Sequence, residues 1–280
     1  MNESQIKELK KYSTILRKHI IEEVFSAQSG HPGGSLSCAD ILTVLYFKEM
    51  RVDPKNPKWE DRDRFVLSKG HCSPALYAAL AEKGFFPKEE LVKFRKIDSF
   101  LEGHPSMRYV PGVDMSTGSL GQGISTAVGM AIAGKLDNKD YNVFTILGDG
   151  EIQEGQVWEA FMAAAHYKLD NLIAFLDHNG LQIDGKISEV MSPEPVVDKI
   201  KAFGWHVIVI DGHDFEQIVN AIDEAKKTKG KPTMIIAETI KGKGVSFMEN
   251  QAGWHGSAPN KEQRDTAIAE LDAVLAGLEV

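Results

Sequence analysis

Two polar residues that could hold a divalent cation follow two apolar, strand-like stretches of the sequence. Asp149 lies in a Gly-Asp-Gly triplet directly after Val143–Leu147, and Asn179 follows Leu172–Asp177. A carboxylate and an amide carbonyl are hard-oxygen ligands of the kind that Mg²⁺ or Ca²⁺ prefers. Gly150 leaves room for a phosphate to approach the backbone N–H at a helix start. The pair therefore predicts a metal ion that bridges the protein to a phosphate group.

Four of the nine histidines lie in loops that are rich in glycine, proline or serine. A single loop histidine is usually solvated surface. Four such histidines, on a chain that also carries a metal and phosphate motif, indicate a polar pocket that orients a hydroxylated substrate and moves protons near neutral pH. They are His31 in SGHPGG, His71 in SKGHCS, His104 in EGHPSM and His255 in AGWHGS.

The apolar runs and the helical segments between them indicate how these residues are positioned. Their alternation along the chain is typical of a parallel sheet that is covered on both faces. We therefore predict an α/β fold with a doubly wound, mostly parallel sheet and helices on both faces. The predicted strands are Phe65–Leu67, Val143–Leu147, Leu172–Asp177, His206–Ile210 and Thr233–Glu238. The predicted helices are one from Ile6 to near Ser29, a helix capped by Ser37, Ser73–Lys83, Leu120–Leu136, Val157–Tyr167, Phe215–Lys226 and Lys261–Leu278.

We expect one domain over residues 1–280, with a C-terminal helical extension at about 260–280. Ligands of such sheets lie beyond the carboxyl ends of the strands, where Asp149 and Asn179 should meet. SGHPGGSLS is predicted to be a loop, because Gly30 and Pro32 end the first helix. Residues 84–118 should be mostly irregular apart from helical turns near 89–94, and so long an irregular segment is usually functional.

Composition limits the class of protein. Hydrophobic residues make up 42% and charged residues 26%, as in a globular domain. The net charge of −8 argues against non-specific binding to nucleic acid or to an anionic membrane. Cys38 and Cys72 have no metal-ligand spacing and favour a reducing compartment. The N-terminus is too charged for a signal peptide and no apolar stretch reaches membrane length, so we expect a cytoplasmic protein.

Other phosphate-binding motifs do not fit the sequence. Residues 129–135, GMAIAGK, imitate the start of a P-loop, but Leu136 replaces the Ser or Thr that would bind the metal. No strand-turn-helix GxGxxG pattern occurs, because GSLGQG has its glycines in another order. Nicotinamide-dependent and P-loop nucleotide enzymes are therefore poor candidates.

The triplet GDG, followed after 28 residues by Asn179, resembles the thiamine diphosphate motif, with His178 in place of the usual second Asn. The chain as a whole resembles the N-terminal, diphosphate-binding portion of transketolase, from about Ile6 to Pro259. The motifs that carry this resemblance are SGHPGG, DRFVLSKGH, GHP, STGSLGQG, GDGEIQEG, DHNGLQIDG and WHGSAP. It implies thiamine diphosphate- and metal-dependent transfer of a two-carbon glycolaldehyde unit from a ketose phosphate to an aldose phosphate, as in the pentose phosphate pathway.

The resemblance also implies roles for individual residues. His31 and His255 would contact the ketose donor, His104 would help to hold its hydroxyls, and Glu154 would join a carboxylate proton network at the subunit interface. The cofactor would be lined by His71, Gly118, Ser119, Leu120, Gly150, Asn179 and His255. The metal, Mg²⁺ or Ca²⁺, would be bound by Asp149, Asn179 and the backbone carbonyl of Leu181.

Two departures from the family pattern affect the assignment of these roles to this chain. Many transketolases have Pro where this chain has Ser119. The segment IKGKG places Lys241 where many microbial and plant transketolases have an apolar residue, and instead resembles animal transketolases and deoxyxylulose-phosphate synthases. Lys241 and Lys243 are either solvated or phosphate contacts.

The chain ends before the pyrimidine-binding and C-terminal domains of a full transketolase would begin. We therefore expect the N-terminal subunit of a split enzyme, active only with a separate C-terminal subunit that carries the pyrimidine-binding domain, as an α2β2 assembly. Three alternatives stay open: a fragment of a longer chain, the α-subunit of a 2-oxo acid dehydrogenase, decarboxylase or deoxyxylulose-phosphate synthase-like enzyme, and a non-catalytic sensor of the cofactor. A 2-oxo acid lacks hydroxyls, so it would give the loop histidines little to bind.

Overall fold

The computed structural model describes residues 1–279, and all five predicted strands form one parallel sheet. The sheet has the order β1-β2-β3-β7-β6, and a separate two-stranded hairpin holds β4 and β5. The strands are β1 (Arg64–Leu67), β2 (Val143–Gly148), β3 (Leu172–His178), β4 (Leu181–Gln182), β5 (Gly185–Lys186), β6 (His206–Asp211) and β7 (Thr233–Glu238). Val280, at the end of the predicted domain and extension, lies outside the described residues.

Helices cover both faces of the sheet, which confirms the doubly wound α/β fold. They are α1 (Glu3–Ala27), α2 (Pro32–Ser37), α3 (Ala39–Val44), α4 (Ser73–Lys83), α5 (Gln122–Leu136), α6 (Gly155–His166), α7 (Ile187–Val190), α8 (Val196–Ala202), α9 (Phe215–Lys227) and α10 (Lys261–Glu279). No helix within residues 1–279 is both long and apolar enough to cross a bilayer.

Successive side chains of the central strands enter two different apolar cores. Phe144 and Phe175 face the larger core, which contains side chains of α1, α3, α4 and α9. Leu147 and Leu176 face the second core, which contains side chains of α5, α6 and α8. Because both faces are buried, the strands consist of nearly continuous apolar runs that end where the polar site residues begin.

Local signals in the sequence explain where the long helices begin and end. Asn2 and Gln5 form a reciprocal capping box at the start of α1, and Gln28 ends the helix in the left-handed conformation with φ 50°. Asp214 caps α9 by accepting hydrogen bonds from two backbone N–H groups. The predicted C-terminal helix, α10, packs on α1, where Leu271 is buried in the larger core.

The prediction of a loop over SGHPGGSLS was wrong, because Pro32–Ser37 form the short helix α2. Proline at the first helical position supplies a suitable φ and lacks an N–H that would be left unpaired there. Ser37 is therefore the last residue of α2 and not a cap. Its hydroxyl donates to Asp177 at 2.6 Å and lies 3.0 Å from Gly34 O. A Cβ on Gly34 would lie 2.8 Å from Cys72 Sγ, so close packing explains a glycine within this helix.

The segment from Gly84 to Gly118 is irregular as predicted, apart from the 3-10 helix Lys88–Lys93. The hairpin at residues 181–186 and the helices α7 and α8 were not predicted. The hairpin directly follows β3, and it brings the backbone of Leu181 to the edge of the sheet where the predicted metal ligands lie.

Candidate active site

A cavity of about 410 Å³ lies at the carboxyl end of the sheet and collects most of the predicted site residues. Those on its wall are His31, His71, Gly118, Leu120, Asp149, Gly150, Glu154, Asn179, Leu181 and His255. Three segments far apart in the sequence meet here: the loops that follow the strands, the start of α2, and the region after α4. The sheet positions them, because the carboxyl ends of parallel strands share one edge.

Two predicted residues do not lie on the cavity wall. Ser119 is exposed beside it. His104 is also exposed, and it packs against the backbone of Gly118, where an added Cβ would lie 2.9 Å from the imidazole Cδ2. Gly118 has φ 149°, a conformation that favours glycine. Although the residue is exposed, the protein atoms packed around one side of its ring, followed by the charge of Arg95, lower the pKa of His104.

The floor of the cavity is a buried ion pair between Lys69 and Asp177, which are 2% and 0% exposed. The Lys69 ammonium also donates to Gly34 O at 2.7 Å. Asp177 in turn accepts hydrogen bonds from Ser37 Oγ at 2.6 Å and from the Thr239 hydroxyl. Charge–charge attraction overcomes burial, so the pKa of Asp177 is lowered and the pKa of Lys69 is raised. Both groups therefore stay charged at neutral pH.

Asp149 and Asn179 lie on adjacent strand ends, as predicted. Asp149 accepts hydrogen bonds from the backbone N–H groups of Gly150 at 2.9 Å and Gly180 at 2.6 Å. Asn179 donates through Nδ2 to Asp177 at 3.2 Å, and its Oδ1 accepts from Leu181 N at 3.1 Å. Burial and the neighbouring Asp177 raise the pKa of Asp149. A divalent cation at this point would relieve that repulsion.

The donor set fits such a cation. It consists of one carboxylate, one amide oxygen and one backbone carbonyl, all of them hard-oxygen ligands. Within residues 1–279 no group of three or more His, Cys, Asp or Glu side chains could hold a metal.

Gly150 does not present a free N–H to the cavity, since that group donates to the Asp149 carboxylate.

His178, between Asp177 and Asn179, contacts two carboxylates, with Nδ1 at 2.9 Å from Glu238 and Nε2 at 3.3 Å from Glu194. Burial alone would lower the pKa of His178, but these carboxylates raise it.

Three of the predicted histidines form one cluster above the floor. The ring centroids of His31 and His71 are 5.1 Å apart, those of His71 and His255 are 5.3 Å apart, and those of His31 and His255 are 5.5 Å apart. Burial, followed by the charges of Arg95 and other neighbours, lowers the pKa of His31 to about 4. Burial and Lys241 lower the pKa of His255 to about 3, and burial also lowers the pKa of His71. The cluster is therefore neutral at neutral pH and can both donate and accept hydrogen bonds.

The two lysines of the KGKG segment have different environments. Lys241 is 2% exposed and lines the cavity, with Nζ 3.0 Å from His255 Nδ1 and 3.4 Å from the carbonyl oxygen of Leu181. Burial lowers the pKa of Lys241. The Lys243 side chain instead lies 3.5 Å from Glu249, at a partly exposed position. The sequence left open whether these lysines are solvated or contact a phosphate, and the burial of Lys241 shows that it is not a solvated lysine.

Three charged residues on the cavity wall were not predicted from the sequence: Lys69, Asp177 and Glu151. Glu151 is buried, and its carboxylate accepts from Ser68 Oγ at 2.5 Å, Gly121 N at 3.0 Å and Gly148 N at 3.0 Å. Burial raises the pKa of Glu151. Each of the three lies next to a glycine, histidine or metal-ligand position of a motif: Lys69 in SKGH, Asp177 in DHNG and Glu151 in GDGE. Their location beside these motifs at strand ends could have indicated that they belong to the site.

Glu154 lies at the mouth of the cavity and is exposed. It immediately precedes α6, and Gly121 packs against it so closely that an added Cβ would lie 2.9 Å from Glu154 Cβ. Two apolar side chains at the same mouth are also exposed, Leu120 by 36% and Ile183 by 64%.

The chain is similar to several proteins of known family. Residues 9–271 match the family model "Transketolase, thiamine diphosphate binding domain". The chain is 50% identical over 97% of its length to a 6-deoxy-6-sulfo-D-fructose transketolase subunit of Clostridium sp. strain MSTE9, covering 98% of that protein. It is 46% identical over 98% of its length to an apulose-4-phosphate transketolase subunit of Phocaeicola vulgatus, again covering 98%.

The fold also matches a solved structure. Transketolase from Campylobacter jejuni superposes with a TM-score of 0.90 and 36% identity over 99% of this chain. The chain spans 46% of that transketolase, and therefore corresponds to about half of a full-length relative.

The lowered pKa values of His31 and His255 predict how stability depends on pH. The unfolded chain would bind protons at these histidines near the ordinary pKa of 6.5, whereas the folded chain would not until about pH 4 or lower. Their contribution to stability is therefore complete above about pH 6.5 and is lost as the pH falls below it. The free energy of unfolding, measured by urea denaturation, should fall less between about pH 7 and about pH 5 in a His31→Gln/His255→Gln double variant than in the wild type. Equal losses in both proteins would contradict the buried, neutral histidines.

Proposed function

The chain belongs to the transketolase family, in its thiamine diphosphate-binding domain, and on that premise we propose that it is the cofactor-binding subunit of a two-chain transketolase. Its reaction would be transfer of a two-carbon unit from a ketose phosphate to an aldose phosphate. The observation that carries the proposal is the single cavity in which the oxygen ligands of Asp149 and Asn179 lie together with the cluster of His31, His71 and His255.

The residues present fit a metal-bound diphosphate. Asp149, Asn179 and the carbonyl of Leu181 would hold Mg²⁺ or Ca²⁺, and His71, Gly118, Leu120 and Gly150 would line the cofactor. Ser119 stays a prediction as a cofactor contact. When bound, thiamine diphosphate supplies the nucleophile that takes up the two-carbon unit.

Charge in the cavity suits an anionic ligand. Lys69 is neutralised by Asp177, whereas the Lys241 ammonium contacts a histidine and a carbonyl rather than a carboxylate. We infer that Lys241 contacts the diphosphate as a point charge. A bound diphosphate would also bring negative charge near the histidines and oppose the lowering of their pKa values.

The neutral histidines can hold the ketose donor. Imidazoles of His31 and His255 can donate to a carbonyl or accept from a hydroxyl, and they can stabilise charge that develops on the substrate oxygen where water is excluded. His104, packed against Gly118 near the cavity, would meet the hydroxyls of a longer sugar. Because His104 is exposed and lies off the cavity wall, its contact with the sugar stays a prediction.

A second chain would complete the site. The mouth of the cavity has an exposed acid, Glu154, next to exposed Leu120 and Ile183. A partner that carries a pyrimidine-binding domain would cover this surface and bring Glu154 into an interface, in an α2β2 assembly. The two relatives reported above, each covered to 98%, have the word subunit in their names, which supports the existence of a partner chain. The single domain over 1–280 and the cytoplasmic location stay predictions.

Other thiamine diphosphate enzymes are not favoured. Both of these relatives are named transketolase subunits rather than subunits of a 2-oxo acid dehydrogenase or decarboxylase. A non-catalytic sensor would need the metal ligands and the lysine, but not three neutral histidines facing the same cavity.

We predict that Asp149→Ala and Asn179→Ala each weaken binding of thiamine diphosphate with Mg²⁺, because each removes an oxygen ligand of the cation. Calorimetric titration of the full chain is the measurement. Asp223→Ala, on the exposed face of α9, is the matched control and should bind as the wild type does. Unchanged binding in both site variants would refute the metal assignment.

In the assembled enzyme, His31→Ala and His255→Ala should leave cofactor affinity nearly intact and reduce turnover with ketose by a factor of roughly 10²–10⁴, the usual effect of a lost acid–base group. His206→Ala, at the amino end of β6, should turn over normally. A variant that loses only stability, with normal turnover of the folded fraction, would show that its histidine is structural.

A further inference from the structure

A buried cluster of Arg17, Asp40 and His213 lies outside the cavity and plays no part in the function proposed above. Arg17 from α1 donates to both carboxylate oxygens of Asp40 in α3, at 2.9 and 2.7 Å. His213, just before α9, lies with Nδ1 2.8 Å from Asp40 Oδ2. The three side chains are 7%, 6% and 12% exposed. Burial would raise the pKa of Asp40, but Arg17 and His213 hold it well below its usual range.

The cluster makes two hydrogen bonds to one loop, residues 240–244. The backbone N–H of Ile240 donates to His213 Nε2 at 2.9 Å, and Arg17 Nε donates to the carbonyl of Lys243 at 2.9 Å. Because His213 Nε2 accepts from an amide, its ring proton lies on Nδ1 and is donated to Asp40. Asp40 thus orients the side chains of both Arg17 and His213. Their hydrogen bonds to the backbone of Ile240 and Lys243 fix the loop on either side of Lys241.

The middle of the loop is held as tightly as its ends. Gly242 N donates to Gly33 O at 2.9 Å. Gly242 has φ 79°, and an added Cβ would lie 2.3 Å from the carbonyl oxygen of Met248. On the other side, an added Cβ on Gly33 would lie 3.1 Å from Lys241 Cγ. The backbone therefore leaves the Lys241 side chain little room except towards His255 and the cavity.

We propose that Arg17, Asp40 and His213 are positioning residues that hold Lys241 in the cavity, where it meets the diphosphate. The inference rests on the proposed function in one respect, the contact between Lys241 and the diphosphate. A buried ion pair is by itself weak support for stability. What points to positioning is that the hydrogen bonds of the cluster end on the backbone on both sides of Lys241.

A double-mutant cycle between His213→Ala and Lys241→Ala tests this inference, with the dissociation constant of thiamine diphosphate in excess Mg²⁺ measured by calorimetry on the full chain. Lys241→Ala should weaken binding about tenfold, as expected for loss of a charge-assisted contact. His213→Ala should weaken it by roughly three- to tenfold in the wild-type background and not further in the Lys241→Ala background. Lys243→Ala, a lysine of the same loop outside the cavity, is the matched control and should bind normally.

Conservative variants separate positioning from folding. His213→Gln keeps an acceptor for the Ile240 N–H and should recover most of the affinity that His213→Ala loses. Arg17→Lys keeps a cation beside Asp40 but loses the hydrogen bond to Lys243, so it should behave in the cycle as His213→Ala does. If His213→Ala does not fold, the cycle with Arg17→Lys decides.

Two results would overturn the inference while leaving the proposed function intact: unchanged affinity in folded His213→Ala, or an equal further loss when it is added to Lys241→Ala. Unchanged affinity in Lys241→Ala would remove both the diphosphate contact and the inference. The Asp149 and Asn179 variants would still test the metal site independently of that result.

Discussion

The carboxylate of Asp177, buried at the end of β3, is the constraint on which the rest of the site depends. A buried charge that loses its partner costs about 3–5 kcal/mol, so folding must bring donors to it. Lys69 comes from beyond β1, Ser37 from α2 and Thr239 from beyond β7. Asn179 donates to the same carboxylate through its Nδ2, which leaves its oxygen on the side of Leu181. The ion pair at the floor of the cavity thus also orients a predicted metal ligand.

The same buried charges set the chemistry of the cavity wall. The histidines have pKa values well below neutral because they are buried beside cations, and Asp149 has a raised pKa because it is buried beside Asp177. A dication would suit the position beside the carboxylates of Asp149 and Asp177. A diphosphate would suit the position beside Lys241. Binding and the protonation state of the site are therefore linked.

Much of the fold and part of the site could be predicted from the sequence. Buried parallel strands consist of apolar runs, so their ends, and with them Asp149 and Asn179, were visible. The helix α2 was missed because Gly and Pro indicate a loop unless close packing demands small residues, as at Gly34. The ion pair of Lys69 and Asp177 and the location of Lys241 were missed or left open because local patterns do not show which charged residues tertiary structure will bury together. His104 and Ser119 were assigned by resemblance, and both lie outside regular secondary structure, where local patterns do not determine the position of a side chain.

The buried ion pair of Lys69 and Asp177 forms the floor of the cavity, whereas its mouth is open to solvent, with Glu154 and Ile183 exposed there. A cofactor held only at its diphosphate end would leave its reactive part in water. The most direct test is the rate of ketose-to-aldose transfer by the purified chain with thiamine diphosphate and Mg²⁺, before and after the partner chain is added. We expect turnover only with the partner, because without it the reactive part of the cofactor would not lie in a water-excluded site. Substantial turnover by rigorously partner-free chain would contradict the account.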